Sequence, residues 1–571
     1  MNILGISCYY HDAAAALVRD GQLVAAAEEE RFNRKKHYSD FPNLAVEYCL
    51  KEAGIEIGDV DHVVFYEKPI VKFDRILNMY LFTWPRSMIS FLKAIPLWLK
   101  DRLWIRNDIQ KQLGIEDEIL FAEHHMSHAA SAFLVSPYEK AAILTLDGVG
   151  EWATTARGYG EGTEIHLDQQ IHFPHSIGLL YSAITSYLGF RVNDAEWKVM
   201  GLAPYGEPKY LDQFEKLVDM KDDGSFRLNM KYFKHHWSSK RMFNRRFEKL
   251  FGRPQRVPES DLEDFHRDIA HSGQKLVERI IVNLARATHE KTGLSDLVIA
   301  GGVGLNSVAN WKILKETPFE RVWIQPAAGD SGGAVGAAFY LWNTVLGNPR
   351  TYVMNHAYLG PAYADDECRS LLESRKIPFE TFDREELCKQ AAKHVASDKV
   401  IGWYQGRMEF GPRALGSRSI VANPTKAGMK DIINAKIKFR EKFRPFAPSV
   451  LLERAHEFFE MDEGLELPYM LMVPKVRQEV REKIPAVTHE DGTGRVQTVT
   501  KRDNPLYYDM IAEFEKLTGV PCVVNTSFNV RGEPIVNTPE NALNCFLKTG
   551  MDVLVLGNCI VDKSRIEGDL V

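Results

Sequence analysis

At 571 residues the chain exceeds what one ordinary core accommodates, so two domains are expected. Hydrophobic content of 45% and charged content of 26% are those of a soluble globular protein. The net charge of −6 argues against non-specific nucleic-acid binding as the main activity.

The first elements fall at 2–7 (NILGIS) and 22–28 (QLVAAAE), with the turn Arg19-Asp20-Gly21 between them giving a hairpin. A helix is predicted over 44–54, ending at Gly54, then a short buried strand from Asp61 to Tyr66. Met1 to Gly5 runs directly into strand pattern without a basic leader, so no signal peptide is expected. The most apolar stretch, Leu77 to Leu99, is broken by Pro85, Arg86, Lys93 and Pro96, so it is not expected to span a membrane. It reads as a helical hairpin packed on the main domain, with a lid or acceptor-binding surface, or binding at a membrane interface, as the functional alternatives.

His128 to Val135 reads as helix and Ala141 to Leu146 as a strand ending at Asp147-Gly148. Long helices are predicted over 176–188 and 261–291, flanking a basic segment, 231–256, with nine Lys/Arg that reads as a solvated helical insertion. Strands over 296–300 and 322–325 run into AGGVGLN and GDSGG, and a helix of small residues follows from Ala334. Strands that end in Gly/Asp loops and lead into helices imply an α/β architecture with sites at the strand ends. Pro/Gly interruptions between Gly347 and Tyr363 place a boundary near 348/349. Beyond it, strands (399–404, 521–525, 552–557) alternate with helices (426–436, 505–518, 539–548), as in a second α/β domain. Seven cysteines without a CxxC pair argue against a disulfide framework or zinc ribbon and for a reducing, cytoplasmic setting.

Two constellations carry chemistry. His124 and His128 are four apart, so on a helix both imidazoles share a face. With Asp147 and Asp330 they form a candidate set for a divalent ion such as Fe²⁺, Mn²⁺ or Zn²⁺. A bland alternative makes Asp330 a helix cap and His128 a packed core residue. Gly301, Gly302, Gly304 and Asn306 form a loop that lets backbone approach an anionic ligand, although neither a Rossmann nor a Walker A pattern is present. The second constellation is an anion trap. Arg413 and Arg418 lie in FGPRALGSR, Lys438, Arg440 and Arg444 in KIKFREKFRPFAP, Arg495 in DGTGRVQTV, and Asn525 and Ser527 in NTSFN. Arginine binds phosphate or carboxylate through two donors and lysine adds a point charge.

HHxxHAASAF, LDGVGE, EWKVMGLAPYG (196–206), AGGVGLN, GDSGGAVGAA, FGPRALGSRSI, RPFAPS and NTSFN with GEPIV resemble the nodulation-type and tobramycin-pathway O-carbamoyltransferases, over essentially the whole chain. The resemblance implies an actin-like ATPase (ASKHA-type) domain over 1–348 with helical insertions, and a YrdC-like α/β domain over 349–571. It implies one divalent ion on His124, His128, Asp147 and Asp330, most simply Fe²⁺, with Mn²⁺, Zn²⁺ or Mg²⁺ as alternatives. His11 and Asp12, in YYHDAAAAL, match the family's catalytic pair, and a histidine there suits general-base work on a hydroxyl. The matched Arg413, Lys438, Arg444, Arg495, Asn525 and Ser527 would hold carbamoyl phosphate and ATP. The implied reaction makes carbamoyl-AMP and passes its carbamoyl group to a hydroxyl of a small-molecule or sugar acceptor. No nucleic-acid partner and no membrane span are implied, and a homodimer is a family expectation. The competing readings are a tRNA threonylcarbamoylation-type factor, hydrogenase-maturation carbamoylation (whose acylphosphatase and Cys-rich motifs are not apparent here) and a catalytically silent nucleotide-binding module.

Overall fold

The computed structural model describes residues 1–100, 102–238, 240–441 and 443–566. The chain divides into two compact units, Met1–Glu29 with His37–Met354 and Glu30–Lys36 with Asn355–Val571. The assignment of 30–36 to the second unit is a long-range association without any local sequence signal.

The first unit is built on two five-stranded sheets. In one, β1 (Asn2–Ser7) pairs antiparallel with β2 (Ala14–Arg19), which pairs antiparallel with β3 (Gln22–Glu28). On its other edge β1 runs parallel to β4 (His62–Phe65), and β4 parallel to β5 (Ile119–Phe121). The second sheet repeats this plan. Its β6 (Lys140–Leu146) pairs antiparallel with β7 (Ala153–Glu161), and β7 with β8 (Glu164–His172), while β6 runs parallel to β9 (Asp296–Ala300) and β9 to β10 (Arg321–Ile324). The duplicated order is that of the actin-like ATPase fold. β1, β6 and β9 are buried along nearly their whole length, which is why they read as continuous apolar runs rather than alternating ones.

Helix α1 (Asn43–Ala53) ends, as expected, on Gly54 in the left-handed conformation. Helices α2 (Pro69–Phe82) and α3 (Met88–Lys100) form the hairpin. Helix α4 (His124–Phe133) begins four residues before its predicted start. Its first turn is polar and histidine-rich, so apolar periodicity registers only from His128 onward. Helices α5 (Ile177–Tyr187) and α6 (Asp264–Thr292) fall where long helices were expected, but only α6, with 29 residues, is long, and α7 (Ser307–Glu316) follows the glycine loop. Helix α8 (Asp330–Phe339) starts at Asp330 itself, with Gly329 as N-cap. Its small residues have a packing reason. A Cβ on Gly336 would come 1.8 Å from the Ser127 carbonyl oxygen of α4, and one on Gly5 of β1 would come 1.9 Å from the Ala334 oxygen. Only glycine lets these backbones touch. That contact fixes α8 against α4, the two helices whose first residues carry His124 and Asp330. The basic segment 231–256 holds one short helix, Arg245–Phe251, and otherwise turns and a bridge between Phe233 and Phe243.

The second unit is one eight-stranded mixed sheet in the order β11 (Glu380–Thr381), β18 (Cys559–Asp562), β17 (Val553–Leu556), β12 (Ile401–Tyr404), β13 (Arg418–Ala422), β16 (Cys522–Ser527), β14 (Ala447–Leu451), β15 (Gln497–Val499). Only β12/β17 and β14/β15 are parallel. Helices α9 (Arg384–Ala396), α10 (Pro505–Thr518) and α11 (Pro539–Leu547) cover it. The helix expected over 426–436 is shorter, Met429–Ile433, and continues as a wider π-turn through Lys438.

Candidate active site

Four side chains from three separate segments meet in the first unit. His124 opens α4, Asp147 follows β6, Asp330 opens α8, and His128 lies one turn into α4. All four are buried, and one ligand atom from each lies within 4.8 Å of every other. The two Nε2 atoms are 3.1 Å apart. His124 Nε2 is 3.2 Å from Asp147 Oδ2 and 3.8 Å from Asp330 Oδ1, and His128 Nε2 is 3.5 Å from the same Asp330 oxygen. A metal bound at about 2.0–2.2 Å sets tetrahedral ligand atoms roughly 3.3–3.6 Å apart, so the spacing suits one ion. Two imidazoles and two carboxylates suit a borderline divalent cation. The outer contacts match such a role. Asp147 Oδ1 accepts from the Gly302 N–H at 3.0 Å, leaving Oδ2 to face the cluster. Tyr66 donates to Asp330 Oδ2 at 3.4 Å, and Glu67 stands 3.7 Å from His124 Nδ1, where a carboxylate orients a ligating imidazole.

The electrostatics agree. Burial alone would lower His124, but the Asp147, Glu67 and Asp330 carboxylates push it up to about 10. Burial likewise opposes ionisation of Asp147, yet its histidine neighbours hold it well below the usual carboxylate range. Without a cation, a proton on His124 compensates the charge that four buried polar groups concentrate here. His125 does not join them. Its nitrogens bond Thr145 Oγ1 at 2.7 Å and the Ala153 carbonyl at 3.0 Å, and burial with two histidine neighbours pushes it down to about 3.

His11 borders the cluster, with Nε2 3.8 Å from Asp330 Oδ2 and Nδ1 3.0 Å from Asp12 Oδ2. Burial lowers it, but Asp330 and Asp12 outweigh that and raise it to about 9. The other Asp12 oxygen meets His37 Nδ1 at 2.8 Å, and His37 Nε2 meets Asp194 at 2.9 Å. Asp12 itself has φ +53, a conformation that aspartate tolerates better than most side chains. The glycine loop lies alongside. Gly301 has φ +91 and a Cβ there would strike the Leu146 carbonyl. Asn306 caps α7, accepting from Ala309 N at 3.2 Å, and is bonded to Gln274.

In the second unit Arg413, Lys438, Arg440 and Arg495 gather with few counter-charges. Burial alone pushes Arg413 down to about 10. Burial, then Arg444, brings Arg440 to about 9. Burial followed by Arg413 and Arg440 holds Arg495 well below the arginine range. The Nε of both Arg413 and Arg495 is buried without a hydrogen-bond partner, and among the described residues neither side chain has a carboxylate within ion-pair distance. Lys438 is buried, and donates to Asn529 Oδ1 at 2.8 Å, the Asn529 carbonyl at 3.0 Å and Ser527 Oγ at 3.3 Å. Buried like charges without anions are costly unless a ligand supplies the anion.

The carbamoyltransferase N-terminus family matches residues 2–339 and the carbamoyltransferase C-terminus family residues 392–563. This chain belongs to the carbamoyltransferase family. An uncharacterised protein of Synechocystis is 48% identical over 99% of this chain and 97% of its own length. The nodulation protein NolNO of Sinorhizobium fredii is 40% identical over 97% of this chain and 79% of its own. Nodulation protein U of the same species is 30% identical over 93% and 94%. Among solved structures, component A of the Acidaminococcus fermentans (R)-2-hydroxyglutaryl-CoA dehydratase superposes at a TM-score of 0.30 with 12% identity, over 60% of this chain and 97% of that one, too remote to support a functional comparison. The enzyme is thus a carbamoyl-group transferase, which takes a carbamoyl donor and an acceptor.

In this carbamoyltransferase, three residues expected among the ligand-binding set have other employment. Arg418 is fully buried in β13, donates to the carbonyls of Gln405 (2.7 Å), Ser417 (3.2 Å) and Pro361 (3.1 Å), and lies 3.8 Å from the Tyr404 ring centroid. Its guanidinium is thus taken up by backbone carbonyls and the Tyr404 ring. Asn525 donates to Ala414 O, Ser449 Oγ and Gln497 Oε1, leaving its buried Oδ1 unpaired. Arg444 is paired to Glu441 at 2.5 Å. Conversely, Tyr66, Glu67, His37 and Asp194 escaped sequence reasoning. Glu67 follows a short strand with no motif around it, and His37 sits in a Lys-Lys-His run that reads as surface charge. Arg440 was visible in its basic run, though nothing distinguished it there from its neighbours.

Proposed function

We propose that this enzyme is an ATP-dependent O-carbamoyltransferase that works in two stages. In the first, the second unit takes carbamoyl phosphate and ATP. Water cleaves carbamoyl phosphate to carbamate and phosphate. A carbamate oxygen then attacks the α-phosphorus of ATP, pyrophosphate leaves, and carbamoyl-AMP forms. Arg413, Lys438, Arg440 and Arg495 supply fixed positive charge to the phosphates and to the charge that develops during both displacements. The YrdC-like character expected for this unit belongs to the same proposal.

In the second stage the first unit passes the carbamoyl group to a hydroxyl of a small-molecule or sugar acceptor. The acceptor oxygen bonds to the carbamoyl carbon, AMP leaves with the bonding pair, and His11 takes the hydroxyl proton while Asp12 stabilises the resulting imidazolium. Asp12 is in turn held by His37, which fixes the His11 ring. The glycine loop takes part by holding Asp147 through the Gly302 N–H; the space a Cβ would need at Gly301, Gly302 and Gly304 is taken by Leu146, Asp147 and Ile299, so these glycines serve close packing and not the ligand approach expected of them. A divalent cation held by His124, His128, Asp147 and Asp330 would polarise the carbamoyl oxygen and offset the carboxylate charge that raises His11.

The observation that carries this reading is the pair of half-buried guanidinium groups of Arg413 and Arg495, whose Nε atoms are buried without a hydrogen-bond partner. An acyl-transfer enzyme that received a ready-made donor would have no use for them. The test is pyrophosphate release from ATP by the purified protein with and without carbamoyl phosphate, coupled to mass spectrometry of offered hydroxyl compounds for an added carbamoyl group. Release that requires carbamoyl phosphate supports the first stage. Carbamoylation without ATP consumption would refute it.

A further inference from the structure

The α2–α3 hairpin turns its apolar face outward. In α3 the residues Ile89, Leu92, Lys93, Pro96, Leu97 and Lys100 are all exposed. Their spacing of three and four residues makes them one continuous helix face. The inward face carries buried Ser90 and Ile95, with Phe91, Ala94 and Trp98 half-buried. The hairpin is closed by ring contacts of Phe73 with Trp98 (5.8 Å) and Tyr80 with Phe91 (6.5 Å). Helix α3 is thus apolar on both faces, and its outer one is left uncovered although the inner one packs against α2. At the tip, Phe82 is 81% exposed, Ile89 65% and Leu92 63%, with Leu81, Trp84 and Met88 beside them. Scattered exposed leucines need no explanation, but a contiguous patch of this kind marks an interaction surface.

Charge selects the occupant. Residues 69–100 hold five Lys/Arg and one Asp, whereas the whole chain carries −6. Lys72 is spent on Glu67 at 2.8 Å, but Arg86, Lys93 and Lys100 are exposed next to the apolar stripe. No acid lies on the α3 face. A second copy docked there would bury Lys93 and Lys100 without a carboxylate to meet them. An anionic lipid surface accepts both halves of the pattern: apolar side chains enter the acyl boundary while lysines reach the headgroups. A tryptophan at the tip suits the same depth. Among the described residues no helix is long and apolar enough to cross a membrane, so the hairpin would lie in one leaflet.

We infer that this hairpin is a peripheral membrane-docking element that seats the enzyme on anionic phospholipid. It also has a short mechanical link to the metal cluster, since the first turn of α2 holds Lys72, which grips Glu67, which stands beside His124. The inference depends on the exposed face alone and survives if the ATP-dependent reading fails.

The experiment is co-sedimentation of the full-length protein with vesicles of phosphatidylcholine and with vesicles of an equimolar phosphatidylcholine and phosphatidylglycerol mixture, at low and high salt. Several-fold more protein should pellet with the anionic vesicles, and high salt should release it. The pair I89S/L92S and the pair K93E/K100E should each reduce pelleting to the level of neutral vesicles while leaving carbamoyl-phosphate-dependent pyrophosphate release intact. The second pair changes only exposed residues and guards against misfolding of the first. Absence of pelleting with either vesicle, or pelleting that survives both double substitutions, overturns the proposal. So does concentration-dependent dimerisation that I89S/L92S abolishes in protein that ignores vesicles, since the face would then belong to a second copy.

Discussion

His124 Nε2 and His128 Nε2 face each other at 3.1 Å across one turn of helix. At that distance either one ring donates its Nε2–H to the lone pair of the other, or both lone pairs face a bound cation. Asp147 and Asp330 complete the enclosure, and they determine what the arrangement can hold: a positive charge, firmly.

Substituting Asp330 with alanine should separate the two stages. Carbamoyl-phosphate-dependent pyrophosphate release should stay within about twofold of wild type, whereas carbamoyl transfer should fall by at least ~10²-fold. Metal content by plasma mass spectrometry should drop in parallel. Loss of pyrophosphate release in a folded variant would refute the division of labour between the units.

Glu67→Gln should weaken metal retention by about 10–100-fold, the range for second-layer partners of ligating histidines. Competition with a chromogenic chelator measures it. Unchanged affinity would mean that the carboxylate 3.7 Å from His124 Nδ1 does not orient the ring.

Arg495→Ala should behave unlike an ordinary core truncation. It removes a half-buried cation repelled by Arg413 and Arg440, so thermal stability without ligand should be equal or higher. Pyrophosphate release should fall by about 10²-fold or more. Added ATP should raise the melting temperature of wild type and fail to do so in the variant, as differential scanning fluorimetry would show.

Arg418→Met should show the opposite pattern. Three carbonyls lose their donor, costing about 2–4 kcal/mol, visible as a lower urea midpoint. Activity per folded molecule should survive, because the Arg418 guanidinium is engaged by protein carbonyls.

Asp562 gives a pH-dependent test away from either site. Burial would raise its carboxyl, but Lys399 at 2.7 Å and Ser564 hold it at about 2. The unfolded chain binds the proton more readily, so the contribution is present above pH ~4 and is lost as pH falls towards 2. Asp562→Asn should cost about 1 kcal/mol at pH 7, after allowance for solvent screening. The difference from wild type in urea denaturation should shrink below pH 4.

What sequence could determine was whatever is encoded locally. The β1, β6 and β9 runs, the α1 stop at Gly54 and the α/β alternation all follow from side-chain periodicity and turn chemistry within a few residues. The HxxxH spacing was legible because both histidines lie on one helix. The family motifs added Asp147 and Asp330, which lie 19 and 202 residues beyond His128. Tertiary structure alone decided which charged groups face which. Arg413 and Arg418 are five positions apart in one motif, yet one is left without an anion and the other is bound to three carbonyls, because β13 turns one inward and the loop before it leaves the other free. Glu67 and His37 became visible only when strands distant in sequence brought them to His124 and Asp12. The outward face of α3 was equally hidden: periodicity reports that a helix has an apolar side, but which way that side points depends on what packs against it.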